Sequence, residues 1–223
     1  MIIIMKNQTA NLYRYLLLSA LASIPFLLLS YLIIIDSQWL ISFDTIVGQF
    51  FYNSGSDSFT RKVVIFTSIG NVKSVVIIVI FIGLLISLRY KHWKKALWFA
   101  LTVLLGAGIV NHFVKNSFER TRPLLTHLVE EHSYSFSSGH AMGAIIYSGA
   151  LAFLIYKANK SKIANLKFYT VSATLLFSLL IAMNRLYLGV HFASDVIAGL
   201  YLGAAFLFIA MAIYERWVDK ELS

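Results

Sequence analysis

Apolar residues fall along this chain in long unbroken runs, not in alternating or one-faced patterns. The first run, YLLLSALASIPFLLLSYLIII, covers residues 15–35, and others follow at about 74–88, 96–114, 141–156, 168–182 and 192–214. A helix of about 20 apolar residues crosses the hydrocarbon core of a bilayer. The pattern therefore predicts an all-α polytopic membrane protein of six transmembrane helices, as one membrane-embedded domain over residues 1–223; the run at 74–88 is short and its ends are poorly marked. A cleavable leader is a competing reading of the first run, because Ala20-Leu21-Ala22 resembles a cleavage site. The apolar stretch before it is too short and the one after it too long for that, so an uncleaved anchor is expected. Pro25 is then a tolerated kink, since neighbouring helices can satisfy the carbonyl it frees.

Between the first two runs lies SQWLISFDTIVGQFFYNSGSDSFTRKVVIFTSIGN, which mixes aromatics, acids and glycines. It is too polar to span and too apolar for a free loop, and an interfacial helical segment is expected there.

Composition agrees with a membrane protein. Only 13% of the 223 residues are charged, where a soluble domain carries about 25%. There is no cysteine, which excludes disulfides and thiolate metal sites. The net charge of +9 admits nucleic-acid binding, topology signals or an anionic ligand. No basic run is interleaved with polar and aromatic residues, so a nucleic-acid surface is not expected. With six spans and a cytoplasmic N-terminus, both termini are cytoplasmic, and twelve of the 19 Lys and Arg fall in inner segments. That excess fits the positive-inside rule and accounts for the loops RYKHWKK and KANKSKIANLK. It leaves seven outer cations, among them Lys115, Arg120, Arg122 and Arg185.

Three segments gather on that outer side: KNSFERTRP (115–123), SSGH (137–140) and NRLYLGVHFASD (184–195). Charged groups at the edge of a bilayer core are costly, roughly 2.5–3.5 kcal/mol each at a helix centre. Lys115 and Arg122, seven apart, share a face on a continuing helix, and Pro123 ends such a helix. Two cations aimed together suit an anion, with Arg matching the planar grip that phosphate oxygens take. The plainer alternative is a set of interfacial cations snorkelling to headgroups, and Arg120, off the Lys115–Arg122 spacing, fits that reading better. In SSGH, a serine caps a helix whose free N–H groups attract anions, Gly139 permits close backbone approach, and His140 sits in the first turn. His191 and Asp195 are four apart, one helical turn. A carboxylate on one imidazole nitrogen fixes the tautomer and leaves the other nitrogen free to attack or to accept a proton.

Together, Lys115…Arg122-Pro123, Ser138-Gly139-His140 and Arg185…His191…Asp195 resemble the three-part signature of the type 2 phosphatidic acid phosphatase family. The resemblance implies six spans with the site at the outer face of the cell membrane and hydrolysis of a lipid phosphate or diphosphate. Phosphatidylglycerophosphate, phosphatidate and undecaprenyl diphosphate are the substrates it suggests. It also implies the roles: His191 the nucleophile that forms a phosphohistidine, Asp195 its orienting carboxylate, and His140 the general acid. Lys115, Arg122, Arg185, Ser138 and the Gly139 N–H would hold the phosphoryl oxygens, with no metal or other cofactor and no obligatory protein partner. Two positions depart from the family pattern: Ser137 replaces a proline, which loses a fixed φ but can cap the helix, so that a small effect is expected, and Asn184 replaces a serine. His112 reads as a packed or interfacial histidine. His127, Glu130, Glu131 and His132 fall in the outer loop, where they shape the entrance or, less simply, form a divalent metal site. A non-catalytic anion-binding or transport protein would also explain the cations, but gives no reason for a His–Asp pair beside a second histidine.

Overall fold

The computed structural model describes residues 2–52, 55–90, 92–159 and 161–218; among these there is helix and turn but no strand. Three inner cations of the charge count, Lys91, Lys160 and Lys220, lie outside the described residues. The order is α1 (Ile2–Ile34), α2 (Gln38–Tyr52), α3 (Asp57–Thr67), a 3-10 turn (Ser68–Gly70), α4 (Val72–Tyr90), α5 (Trp93–Val103), a π-helical segment (Leu104–Val110), α6 (Asn111–Phe118), α7 (Gly139–Asn159), α8 (Leu166–Tyr187) and α9 (Ala193–Trp217). Among the described residues, six stretches are long and apolar enough to cross a membrane: Thr9–Ile34, Val72–Arg89, Trp93–Phe118, Gly139–Asn159, Leu166–Tyr187 and Ala193–Trp217. The six runs of the sequence are thus six helices of a multi-pass membrane protein. The short run at 74–88 gains residues at both ends, and the segment after the first span forms the two short helices α2 and α3.

α7 is the central helix, with α8, α9, α5 and the π segment packed around it, and α1 lies along α9. Small residues make this possible. Gly199 and Gly203 of α9 form a small-xxx-small pair of the kind that brings membrane helices together. A Cβ on Gly199 would sit 2.6 Å from the Ser138 carbonyl oxygen, and one on Gly203 would sit 2.4 Å from Ile145 Cγ2 and 2.9 Å from the Met142 carbonyl. The start of α9 is therefore pressed backbone-to-backbone onto the start of α7. Farther along, Trp98, Phe153 and Tyr214 pack edge to face, and Trp98 Nε1 donates to the Ala210 carbonyl at 2.8 Å. α4 sits at the periphery and presents Ile77, Ile80, Phe81 and Leu84 outward, as a lipid-facing helix should.

The π segment separates α5 from α6 within one continuous span. Single π turns recur at functional sites. Here the widened turn carries Gly106, whose Cβ would meet Ile146 and Phe206 at 2.6 and 2.7 Å. The helix after it buries Asn111, Val114 and Lys115.

Candidate active site

The three segments singled out in the sequence meet at one end of the bundle. The first leaves its helix earlier than Pro123 would require. Glu119 takes the left-handed conformation (φ +45°) and its N–H caps the Lys115 carbonyl, so Lys115 stays on the helix while Arg120 and Arg122 lie on the loop beyond it. The helical face that the seven-residue spacing suggested is replaced by a turn, yet both cations still reach the site. Lys115, almost fully buried, donates through Nζ to the Tyr134 carbonyl. Arg122 donates from Nε to the Ser133 carbonyl (2.8 Å) and from Nη1 to the Val190 carbonyl (2.6 Å), and Nη1 lies 3.4 Å from His191 Nε2.

α7 begins at Gly139. Ser137, which could have capped the helix, is instead fully buried, and its hydroxyl and carbonyl both accept from Asn111 Nδ2 at 3.1 Å. The Ser138 N–H donates to the Asp195 carbonyl at 3.0 Å, which ties the second segment to the third. A Cβ on Gly139 would fall 2.8 Å from Asn111 Oδ1, so only glycine lets this turn approach α6. His140 sits in the first turn as predicted, with Nε2 3.0 Å from Asn71 Oδ1. Gly70 packs against its ring so closely that a Cβ there would lie 2.4 Å from His140 Cδ2.

His191 and Asp195 do face each other, but not as two residues on a helix. α9 starts at Ala193, with Phe192 as its N-cap, so His191 precedes the helix and Asp195 is in its first turn. Asp195 Oδ2 accepts the Phe192 N–H at 2.9 Å and the Ser135 hydroxyl, and lies 3.4 Å from His191 Nδ1. Ser135 Oγ is also 3.4 Å from Nδ1. The imidazole is thereby held at Nδ1, and Nε2 faces Arg122. Burial, followed by the charges of Arg185, Arg122 and Lys115, pushes His191 well below the ordinary histidine range, although its hydrogen bond with Ser135 opposes this. The ring is therefore neutral at pH 7, as a nucleophile or base requires. Burial lowers Arg122 from its usual value, with Glu131 and Asp195 opposing the shift. Asn184, the second departure from the family pattern, makes no side-chain hydrogen bond among the described residues.

Two polar atoms here are buried without a partner, Ser138 Oγ and Arg185 Nε. Buried polar groups are nearly always satisfied, and both of these belong to residues expected from the sequence to hold phosphoryl oxygens. The Arg185 guanidinium, 1% exposed, instead pairs through Nη2 with Glu131 Oε1, while Glu131 Oε2 lies 3.3 Å from Arg122 Nη2. Glu131 thus lays one carboxylate across two of the predicted phosphate-binding arginines. Its loop neighbour His127 lies 2.9 Å from the Pro123 carbonyl, and His112 lies 2.8 Å from Asn116.

The main correction concerns Arg120, which the spacing placed among snorkelling cations. It turns inward, and Nη1 donates to Asp195 Oδ1 at 2.6 Å and to Ser194 Oγ at 2.7 Å, while Nη2 donates to Asp44 Oδ2 at 2.8 Å. Its guanidinium also lies 4.1 Å from the centroid of the Phe192 ring. Asp44, Asn71 and Ser135 likewise carry no sequence signal of a place in the site, and Glu131, expected to shape the entrance, pairs with Arg185 and Arg122. The one available hint was that Arg120 stands within KNSFERTRP, two residues before Arg122.

A cavity of about 520 Å³ opens beside this network; Arg120, Arg185, Ser138 and Asp195 do not line it. Lys115, Arg122, Gly139, His140 and His191 line one part, and Val72, Val75, Val76, Val103 and Leu104 line another. Fold and site together define a six-span membrane protein with a cationic, histidine-bearing pocket that continues into an apolar wall. The chain belongs to the PAP2 superfamily, which it matches over residues 95–219. It is similar to phosphatidylglycerophosphatase B of Bacillus subtilis (strain 168), 34% identical over 122 residues, covering 53% of this chain and 60% of that protein. It is also similar to lipid A 1-phosphatase of Rhizobium etli, 28% identical over 139 residues, covering 57% of this chain and 53% of that protein. The chain thus spans less than two thirds of the length of these relatives. A crystal structure of a transmembrane PAP2-type phosphatidylglycerolphosphate phosphatase from Bacillus subtilis has the same fold, with a TM-score of 0.82 at 24% identity, over 90% of this chain and 97% of that one.

Proposed function

We propose that this protein is a metal-independent lipid phosphatase that removes the terminal phosphate of a membrane lipid phosphate or diphosphate through a phosphohistidine intermediate. The observation that carries the reading is one cavity in which His191 Nε2 faces Arg122, with Lys115 and His140 beside them, while valines and Leu104 form the adjoining wall. A phosphorylated headgroup fits the first and acyl or prenyl chains the second. The names of the relatives, a phosphatidylglycerophosphatase and a lipid A phosphatase, point to the same substrate class.

Lys115, Arg122 and Arg185 would neutralise the equatorial phosphoryl oxygens, joined by Ser138 Oγ and the Gly139 N–H. Phosphoryl transfer needs chiefly this charge stabilisation and alignment. His191 Nε2 attacks phosphorus opposite the lipid oxygen, the P–O bond breaks, and His140 gives its proton to the departing oxygen. Water then attacks the phosphohistidine and loses a proton to His140, and the N–P bond breaks to release inorganic phosphate. Asp195 stabilises the positive imidazole of the intermediate through Nδ1. The active site is read at the outer face and both termini on the cytoplasmic side, which the excess of inner-loop cations supports.

The test is phosphate release by the protein purified in detergent, with EDTA present, on phosphatidylglycerophosphate, phosphatidate and undecaprenyl diphosphate. Release from at least one lipid, abolished by His191→Ala, is expected, together with a 32P adduct that is acid-labile, base-stable and absent from the variant. Anion binding without release, or equal release by the variant, overturns the reading in favour of an anion-binding or transport protein.

A further inference from the structure

We infer that Asp44, on the interfacial helix α2, is a positioning residue for the reaction, acting through Arg120 on the Asp195–His191 pair; this rests on the phosphatase reading above. The geometry is a relay of alternating charge. Asp195 is fully buried and Asp44 nearly so, and Arg120 stands between them with a separate nitrogen on each: Nη1 to Asp195 at 2.6 Å, Nη2 to Asp44 at 2.8 Å. Asp44 is itself fixed by α9. Its Oδ1 accepts the Ser194 N–H at 2.8 Å, and its Oδ2 accepts the Ser194 hydroxyl at 2.6 Å. Both carboxylates therefore sit at the N-terminal end of α9, where backbone N–H groups favour negative charge.

Two consequences follow for the chemistry. A guanidinium with only one buried carboxylate to satisfy would give its whole charge to Asp195 and offset the carboxylate that must stabilise a positive imidazole. Shared with Asp44, it holds Asp195 in place while leaving the cluster of Asp44, Arg120 and Asp195 with one net negative charge beside His191. The position is also fixed from outside the motif-bearing segments. Asp44 lies 76 residues from Arg120 and 150 from Ser194, so it acts as a strut that sets where the catalytic turn stands relative to α2. The pH behaviour of His191 reflects every charged group that faces it or its partner: Arg120, Asp44, Asp195, Lys115, Arg122, Arg185, Glu131 and His140.

The experiment compares kcat, KM and the pH–rate profile of wild type, Asp44→Asn, Asp44→Glu, Arg120→Gln and His191→Ala, each purified in detergent and checked for a monodisperse elution profile. Asp44→Asn is expected to lower kcat about 10- to 100-fold, the size of loss known for the partners that orient metal-ligating histidines, with KM changed less than about twofold. Losing this negative charge disfavours the protonated imidazole, so the acidic limb of kcat/KM moves to lower pH. Arg120→Gln moves it to higher pH, and Asp44→Glu restores part of the lost rate. Opposite movements of the acidic limb are a signature that general loosening does not produce. An Asp44→Asn enzyme with wild-type kcat and acidic limb overturns the inference alone, as does a lower yield of protein with an unmoved pH profile. A wild type no more active than His191→Ala overturns the phosphatase reading and this inference with it.

Discussion

At the scale of single residues, the site is a set of buried charges whose balance can be shifted one group at a time. Glu131 occupies the arginines that the proposed substrate needs, so substrate and carboxylate compete for the same guanidinium groups. Glu131→Gln is therefore expected to lower KM and the inhibition constant of inorganic phosphate by about 3- to 10-fold, a coupling of about 1 kcal/mol, with kcat within twofold. Steady-state kinetics with phosphate as product inhibitor measure this. His191 gives a second prediction. Its pKa is lowered in the folded protein, chiefly by burial, whereas in the unfolded chain it takes up a proton near pH 6.5. The unfolded state then binds the extra proton, so stability declines as pH drops below about 6.5. In phosphate-free detergent buffer the Tm of wild type should decrease between pH 7 and 5.5 more steeply than that of His191→Ala; equal slopes would contradict the neutral, buried assignment.

At the scale of elements, the close contact of α7 and α9 sets the site, because it joins Ser138 to Asp195. Gly203→Leu forces a side chain into Ile145 and the Met142 carbonyl. Overpacking of this kind costs typically about 1–3 kcal/mol, and it should lower both Tm and phosphate release. Gly83→Ala in α4 is the contrasting case: nothing lies within 4 Å of the added Cβ, and alanine is the better helix former by about 1 kcal/mol. That variant should keep full activity and an equal or higher Tm. The existence and order of the spanning helices were legible in the apolar runs, because hydrocarbon length fixes how long such a run must be. The π segment and the left-handed Glu119 were not, since each is a local departure from regular helix selected by packing against neighbours.

At the scale of the whole molecule, the distribution of cations predicts which end faces outward. Single cysteines introduced at Asn159 and Glu130 of this cysteine-free chain are expected to react with a membrane-impermeant maleimide from opposite sides: Glu130 in intact cells, Asn159 only after permeabilisation. Labelling of both from one side would overturn the orientation, while leaving the fold and the site geometry as they are.

The sequence by itself determined the six spans, the interfacial segment and the three motif segments that meet at the pocket, but not Asp44, Asn71 or Ser135. The spans and segments follow from apolar run length, charge asymmetry and short-range spacing, which the chain carries locally. Only the tertiary structure decided how the groups are partnered. His191 and Asp195 meet around the cap of α9 and not along a helix face, because the helix begins two residues late. Arg120 faces inward because Asp195 and Asp44 lie 75 and 76 residues away in sequence but within hydrogen-bonding distance in space. Asn71 reaches His140 from 69 residues away. Such pairings depend on where the chain turns after Glu119 and on how closely two glycines let α9 approach α7, which no short-range pattern records.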